Sequence, residues 1–490
     1  MGKNGATVLG SRNAQAAARR LLATSAAGCA LAIVNAGEAF AHAADRGHVM
    51  LLPTGYYLVG GAAAVALTFV VLLLVPADVL SSLYGRRLAI GSLPKWPRLA
   101  GSAVCFAFLA ALVAVGFAGS RDPLSNPLPL MLWTVFWIGL TLLQGVVGNL
   151  WWWINPLYAP WRLLAGLTRK GGGMIALPER FGYAPAVSQF FAFAWFELVY
   201  PAPDDPARLA SVVSAYFLLN LLATVVFGYE SWMRRGECLS VFLRMIAMLG
   251  VAEGGTTARR RRRVALCLPG AKLVAAGGLP LSGALFLLLA LSTVSFDGLM
   301  RTFFWLGLNG VNPLEYPGRT ALVGINSAGL AIAFVVLAGA FVGAVLLGQR
   351  FAHGASPGGR AATGALVWSI IPISMAYHFS HYLTALVING QYALAALSDP
   401  LMTGADLFGT AGMHVRAGAL MGAEMAWLIW NLQAIAIIGG HLLAVLVAHA
   451  IAHRLHGDAV SAGRSQIPLA ALMVAYTVFG LWLLSSPTAG

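Results

Sequence analysis

Long apolar runs separated by short polar segments dominate this sequence. A helix that crosses a bilayer needs about 20 apolar residues, and about ten runs meet that length. They lie near residues 57–77, 100–119, 128–149, 183–201, 209–228, 277–296, 321–347, 366–388, 424–448 and 467–486. The pattern predicts an all-α protein, a polytopic transmembrane helix bundle of about ten spans.

Basic residues fall in every second connection between these runs. The connections 78–99, 150–182, 229–276, 348–365 and 449–466 carry most of the Arg and Lys, including Arg259–Arg263, whereas segment 201–206 is acidic. Cytoplasmic loops of membrane proteins carry such an excess of Lys and Arg. The alternation predicts a multi-pass protein of the inner (plasma) membrane whose mature N-terminus is periplasmic.

The start of the chain resembles an export signal. Arg12, Arg19 and Arg20 precede an apolar stretch, and Ala39-Phe40-Ala41 has the small-x-small pattern of a cleavage site. We expect residues 1–41 to be a cleavable signal peptide, and residues 42–490 to form one transmembrane helical domain. Cleavage there would leave His42 with a free amine, a pair of nitrogens that can chelate copper. Cleavage two residues later would remove His42.

Composition excludes several classes of protein. Only 10% of the 490 residues are charged, against about 25% in soluble domains. The net charge of +14 follows the alternating connections, so we interpret it as membrane topology, with the lipid bilayer as partner and no nucleic acid. The four cysteines lack CxxC spacing, and no Walker A, G-x-S-x-G or HExxH motif is present.

Ionisable groups inside the predicted spans are the first candidates for chemistry, because their burial in a bilayer is costly. His378 and His381 lie three residues apart, so both imidazoles face one side of a helix and can hold a metal ion or relay a proton. Hydrogen bonds to neighbouring helices are an equally good explanation. His441 lies in the ninth run; its depth differs from that of His378 by about 10 Å, which argues against a haem shared by the two.

Carboxylates mark the outward ends of several predicted spans. Glu197 ends the fourth run, Asp297 ends the sixth, and Asp399 follows the eighth. Imidazoles and carboxylates are ligands for a divalent metal ion, zinc or copper above all, that could activate a water molecule. The alternative is that Glu197 and Asp297 are helix-end residues bonded to loops.

Several short motifs, in order along the chain, resemble the bacterial membrane proteins named fenitrothion hydrolase. These motifs are residues 191–206, Phe296-Asp297-Gly298, His381-Tyr382, Gly390-Gln391, Ser398-Asp399-Pro400-Leu401, Leu407-Phe408-Gly409-Thr410 and Gly440-His441. The resemblance implies hydrolysis of organophosphorus triesters, together with a second membrane or exported subunit. The contiguous Asn-Pro-Trp-Arg pattern is interrupted here, because residues 157–160 separate Asn155-Pro156 from Trp161-Arg162.

These observations lead to one main hypothesis and two alternatives. The main one is a metal-assisted hydrolase of small apolar phosphotriesters, with His378, His381, His441 and His42 as metal-ligand candidates and Glu197, Asp297 and Asp399 as catalytic candidates. The first alternative is a non-enzymatic transporter or metal-handling permease that uses the same groups to bind an ion or relay protons. The second is a membrane anchor for an exported partner.

Overall fold

The computed structural model of the protein describes residues 54–94, 98–168, 173–256, 261–315, 318–352, 358–416 and 422–488. The predicted signal peptide and His42 lie outside the described residues.

Nine of the described helices are long and apolar enough to cross a membrane. They are α1 (Thr54–Leu72), α3 (Arg98–Ala118), α4 (Pro127–Val147), α8 (Pro206–Phe227), α12 (Leu281–Met300), α14 (Arg319–Phe351), α15 (Gly359–Ser398), α16 (Ala423–His456) and α17 (Ala459–Ser485). Helix α4 contains a π-helical stretch, Leu130–Leu140, and α15 contains a 3₁₀ turn, Val367–Ser369. The chain is therefore an all-α, multi-pass membrane protein.

Shorter helices occupy the connections. They are α2 (Ala77–Gly85), α5 (Trp151–Ile154), α6 (Tyr158–Thr168), α7 (Ala184–Leu198), α9 (Tyr229–Arg235), α10 (Cys238–Ile246), α11 (Ala271–Ala275) and α13 (Phe303–Leu308), with 3₁₀ turns at Glu179–Phe181 and Pro313–Glu315. Helix α7 corresponds to the fourth apolar run but has only 15 residues, so it is too short to be one of the nine.

The sequence pattern did not predict the small sheet that joins two basic connections. Strands β1 (Arg87–Pro94), β2 (Ala252–Thr256) and β3 (Arg261–Cys267) form an antiparallel sheet in the order β1-β3-β2. Arg87 pairs with Cys267, and Ala252 pairs with Leu266. Because the sheet joins connections 78–99 and 229–276, both lie at the same end of the bundle, which we call the sheet end.

Contacts between the other connections define the opposite end. An ion pair joins Arg121 to Asp205, and a β-bridge joins Thr302 to Thr488. Helix α7 runs between the two ends. At its start, the Tyr183 N–H donates to Ser282 Oγ (3.0 Å) near the beginning of α12, and at its end Arg319 donates to the Glu197 carbonyl (2.9 Å). Connections 78–99 and 229–276 thus share the sheet end, and the described segments with Arg121, Asp205 and Thr302 lie away from it.

The centre of the bundle is formed by α12 and the first half of α15. These two spans are the most buried of the nine, and α15 packs against α16, α4 and α12. Large apolar side chains on the outer helices are exposed instead, including Leu222 on α8 and Val335 on α14. An exposed apolar surface around a buried polar centre is the arrangement that a lipid environment stabilises.

Candidate functional site

Three helices bring four polar side chains together in the half of the bundle near the opposite end. Glu197 lies in the last turn of α7, Asp297 in the last turn of α12, and His381 and Tyr382 in the middle of α15. Asp297 is 2% exposed. Sequence analysis proposed three of these four residues, and the structure shows that they are neighbours.

Asp297 is the centre of the group. His381 Nε2 donates to Asp297 Oδ2 at 2.7 Å, and the Tyr382 hydroxyl lies 3.0 Å from the same oxygen. Arg301 Nη2 lies 3.9 Å from Asp297 Oδ1, which has no hydrogen bond among the described residues. Two basic side chains therefore face this carboxylate and favour its ionised form.

Tyr382 connects Asp297 to Glu197. Its hydroxyl oxygen is 3.0 Å from Glu197 Oε1 and 3.0 Å from Asp297 Oδ2. A phenol has one proton and donates one hydrogen bond, so it can donate to only one of two ionised carboxylates. The second contact is favourable when the other carboxyl is protonated and donates to the phenol oxygen.

The neighbours of the two carboxyls indicate which one holds that proton. Among the described residues no basic side chain lies within ion-pair distance of the Glu197 carboxyl, whereas Asp297 faces His381 and Arg301. Arg319 approaches Glu197 only through its backbone carbonyl. The geometry is consistent with a protonated Glu197 beside an ionised Asp297.

Two cavities meet at Glu197. The larger, which we call the vestibule, encloses about 190 Å³ and is bounded by residues that include Trp133, Asp204, Asp297, Arg301, Arg319 and Tyr382. The smaller, the inner chamber, encloses about 20 Å³ between Trp137, Thr293, Ser374, His378 and Tyr382. A water molecule needs about 10–15 Å³, so the chamber is large enough for one. Glu197 lines both cavities.

The mouth of the vestibule contains a second acidic residue. Asp204 lies in the connection after α7, where partial desolvation beside the vestibule raises the pKa of its carboxyl while Arg319 and Arg301 act in the opposite direction. Arg301 is half exposed, with 44% of its side chain accessible. The vestibule therefore has charged groups of both signs above an apolar and aromatic wall.

His378 is separated from the metal ligands expected beside it. Its Nε2 faces the Trp137 carbonyl at 3.2 Å, and its ring packs against that of Tyr382. His381 points to Asp297 instead. The described residues include no group of three or more His, Cys, Asp or Glu side chains placed to hold a metal ion. His378, His381 and Glu197 do not converge as ligands, and the metal stays a prediction.

The remaining candidates lie apart from this group. His441 is fully buried, its Nδ1 faces the Ile437 carbonyl at 2.8 Å, and its Nε2 has no partner among the described residues. Asp399 accepts the backbone N–H groups of Thr403 (2.9 Å) and Gly404 (2.8 Å). It lies 17 residues beyond Tyr382 on the axis of α15, or about 25 Å, so its structural role is in the loop.

Sequence analysis missed the groups that complete the site. Tyr382 is adjacent to His381 in the chain, but neither its spacing nor its type identified it as a bridge between carboxyls. Arg301 and Arg319 could have been identified from the sequence. They are basic residues beside outward-facing span ends, whereas the other outward connections contain few Arg or Lys residues. An exception to the charge alternation is a reason to look for a buried acidic partner.

The chain was compared with protein-family models, with curated proteins and with solved structures, and none of them matches it. The resemblance to fenitrothion hydrolases stays a prediction from the motifs.

Proposed function

We propose that this protein is a proton-coupled carrier of the plasma membrane, with Glu197 as its proton-binding group. The observation that carries the proposal is the Tyr382 hydroxyl at 3.0 Å from both Glu197 and Asp297, an arrangement that favours one shared proton. Ionisable groups buried among transmembrane helices are typical of proton relays.

The chemistry of the group supports a cycle of proton uptake and release. In the protonated state, Glu197 donates to the Tyr382 oxygen while Tyr382 donates to Asp297, which His381 and Arg301 keep ionised. When Glu197 loses its proton to a water molecule in the vestibule or in the inner chamber, the single phenol proton serves two carboxylates. One of them is then left facing the phenol oxygen without a donated bond. That repulsion favours a rearrangement of α7 against α15, so proton release is coupled to a movement of helices on both sides of the vestibule.

The orientation in the membrane follows from charge. We assign the sheet end, with its arginine-rich connections, to the cytoplasm and the vestibule to the periplasmic side. Protons would then enter the site from outside the cell, the direction in which the proton gradient of a respiring bacterium drives uptake.

Infrared spectroscopy of the purified protein in lipid at neutral pH tests the proton assignment. We expect a carboxylic-acid band that is lost in Glu197→Gln and kept in Glu424→Gln, the matched change at the start of α16. Proton uptake can be measured in proteoliposomes with a trapped pH indicator and an imposed membrane potential. Glu197→Gln should lower the uptake rate at least tenfold, since a proton-transfer group typically contributes about 10²-fold or more to a rate. An unchanged infrared band in Glu197→Gln would refute the proposal.

A second candidate function is hydrolysis of phosphotriesters, as the family resemblance implies. It is favoured by the His381–Asp297 pair, in which a buried carboxylate orients an imidazole that is 28% exposed. An imidazole held in this way is a general base for a water molecule. Membranes with the wild-type chain should then hydrolyse an aryl phosphotriester, and His381→Gln should abolish the activity while the protein stays folded.

A further inference from the structure

A second group of histidines lies at the sheet end, away from the site described above. His449, His453 and His456 occupy the last two turns of α16, at spacings of four and three residues that place them along one helix face. His449 lies beyond the ninth apolar run but is buried, with only 1% of its surface exposed.

The distance between two of these imidazoles suits a metal ion. His449 Nε2 and His453 Nε2 lie 3.1 Å apart. Two nitrogens bound to zinc at about 2.0–2.1 Å with a tetrahedral angle lie about 3.3–3.4 Å from each other. The two nitrogens share a hydrogen bond at this distance, so an ion would replace the shared proton and the nitrogens would move apart by a few tenths of an ångström.

The surroundings of the pair provide further polar groups. Gln466 Nε2 lies 3.0 Å from His449 Nδ1 and also donates to the Ala462 carbonyl at 2.8 Å, so this amide fixes the orientation of the His449 ring. His456 Nε2 is buried and has no hydrogen bond among the described residues. Asp458 adds a negative charge that interacts electrostatically with His453 and His456.

The end of the helix also favours a cation. The negative end of the α16 dipole lies here, because the helix ends at His456 with Gly457 in the left-handed conformation. The same turn is fixed to the sheet end by Arg454, which donates to the Ala276 carbonyl at 2.7 Å. Imidazole nitrogens prefer zinc, copper and nickel over magnesium or calcium.

We propose that His449 and His453 bind a divalent transition-metal ion of the zinc and copper class at the sheet end of the bundle. Water completes the coordination, because no third His, Cys, Asp or Glu side chain among the described residues is placed with the pair. The site is independent of the proton-binding function, because its ligands belong to the other end of the bundle.

The test uses the full chain, purified without a polyhistidine tag and stripped of metal with a chelator. In titrations with zinc chloride, the wild type should bind one equivalent that His453→Gln loses or binds at least about tenfold more weakly. His414→Gln, which removes an exposed histidine in the connection after α15, should leave that equivalent unchanged. Equal zinc binding by the wild type and His453→Gln would overturn the proposal.

A measurement on the wild type removes any dependence on the folding of the variants. With one equivalent of copper(II), electron paramagnetic resonance should show coupling to at least two imidazole nitrogens. A copper spectrum without such coupling would refute the site even if zinc binds elsewhere on the chain.

Discussion

Replacing Asp297 by Asn tests the buried group most directly, because the substitution keeps the shape of the side chain and removes its charge. Asp297 lies 2.7 Å from His381 and 3.9 Å from Arg301 and is almost fully buried. His381 and Arg301 are partly exposed, with 28% and 44% of their side chains accessible, so neither is left as a buried charge. A hydrogen bond to a charged group is worth about 1.5–3 kcal/mol, and the remaining amide oxygen can still accept one worth about 1 kcal/mol. We expect Asp297→Asn to lower the free energy of unfolding by about 1–2 kcal/mol.

Equilibrium unfolding by SDS in mixed micelles measures this change. Asp399→Asn is the matched control, because Asp399 accepts its hydrogen bonds from an exposed loop, and it should cost about 1 kcal/mol or less. In a double-mutant cycle, Asp297→Asn and His381→Gln should be coupled by about 1–3 kcal/mol. A loss below about 0.5 kcal/mol for Asp297→Asn, or strict additivity with His381→Gln, would contradict an ionised Asp297 paired with His381.

Three further predictions address other parts of the chain. Gly440→Ala should destabilise the contact of α16 with α15 by about 1–3 kcal/mol, because the added Cβ would lie 2.8 Å from a backbone carbonyl. In the control Gly439→Ala, the added Cβ meets nothing within 4 Å, so the melting temperature should not change. A backbone N–H and a serine hydroxyl hold the pKa of Asp406 below its ordinary value of 3.8. The ionised Asp406 therefore stabilises the fold at neutral pH, and this stabilisation is lost as pH falls below about 4. Melting temperatures measured across that range should fall less in Asp406→Ala than in the wild type. Reporter fusions after Asp205 should be periplasmic and fusions after Arg360 cytoplasmic, and the reverse pattern would overturn the assigned orientation.

The helices were predictable from the sequence because a bilayer imposes one strong rule. Each span must be long and apolar, and each connection must carry charge according to its side, so the nine long helices follow the hydrophobic runs. The β-sheet was not predictable in the same way. Its strand β3 lies in the arginine run, where composition suggests a solvated segment. One of its two partner strands, β1, is more than 160 residues away in the chain.

The candidate residues of the site were predictable, but their partners were not. The cost of burying charge identified Glu197, Asp297 and His381, each as a single residue. Periodicity places His378 and His381 on one helix face, yet the helices packed against that face give each imidazole a different partner, the Trp137 carbonyl and Asp297. Such pairings depend on how helices rotate against each other, which one chain's hydropathy pattern does not determine.

The short length of α7 explains why the site and the vestibule occur where they do. Fifteen residues give a helix of about 22 Å, whereas the hydrocarbon core of a bilayer is about 30 Å thick. Because α7 begins at the sheet end, we expect its last turn to stop short of the opposite surface of the bilayer, with Glu197 at membrane depth. The space above the helix end is bounded by the connection that contains Asp204 and by Arg319 at the start of α14. Two further turns after Leu198 would fill this space, so the short helix keeps Glu197, which lies 3.0 Å from Tyr382, open to the vestibule.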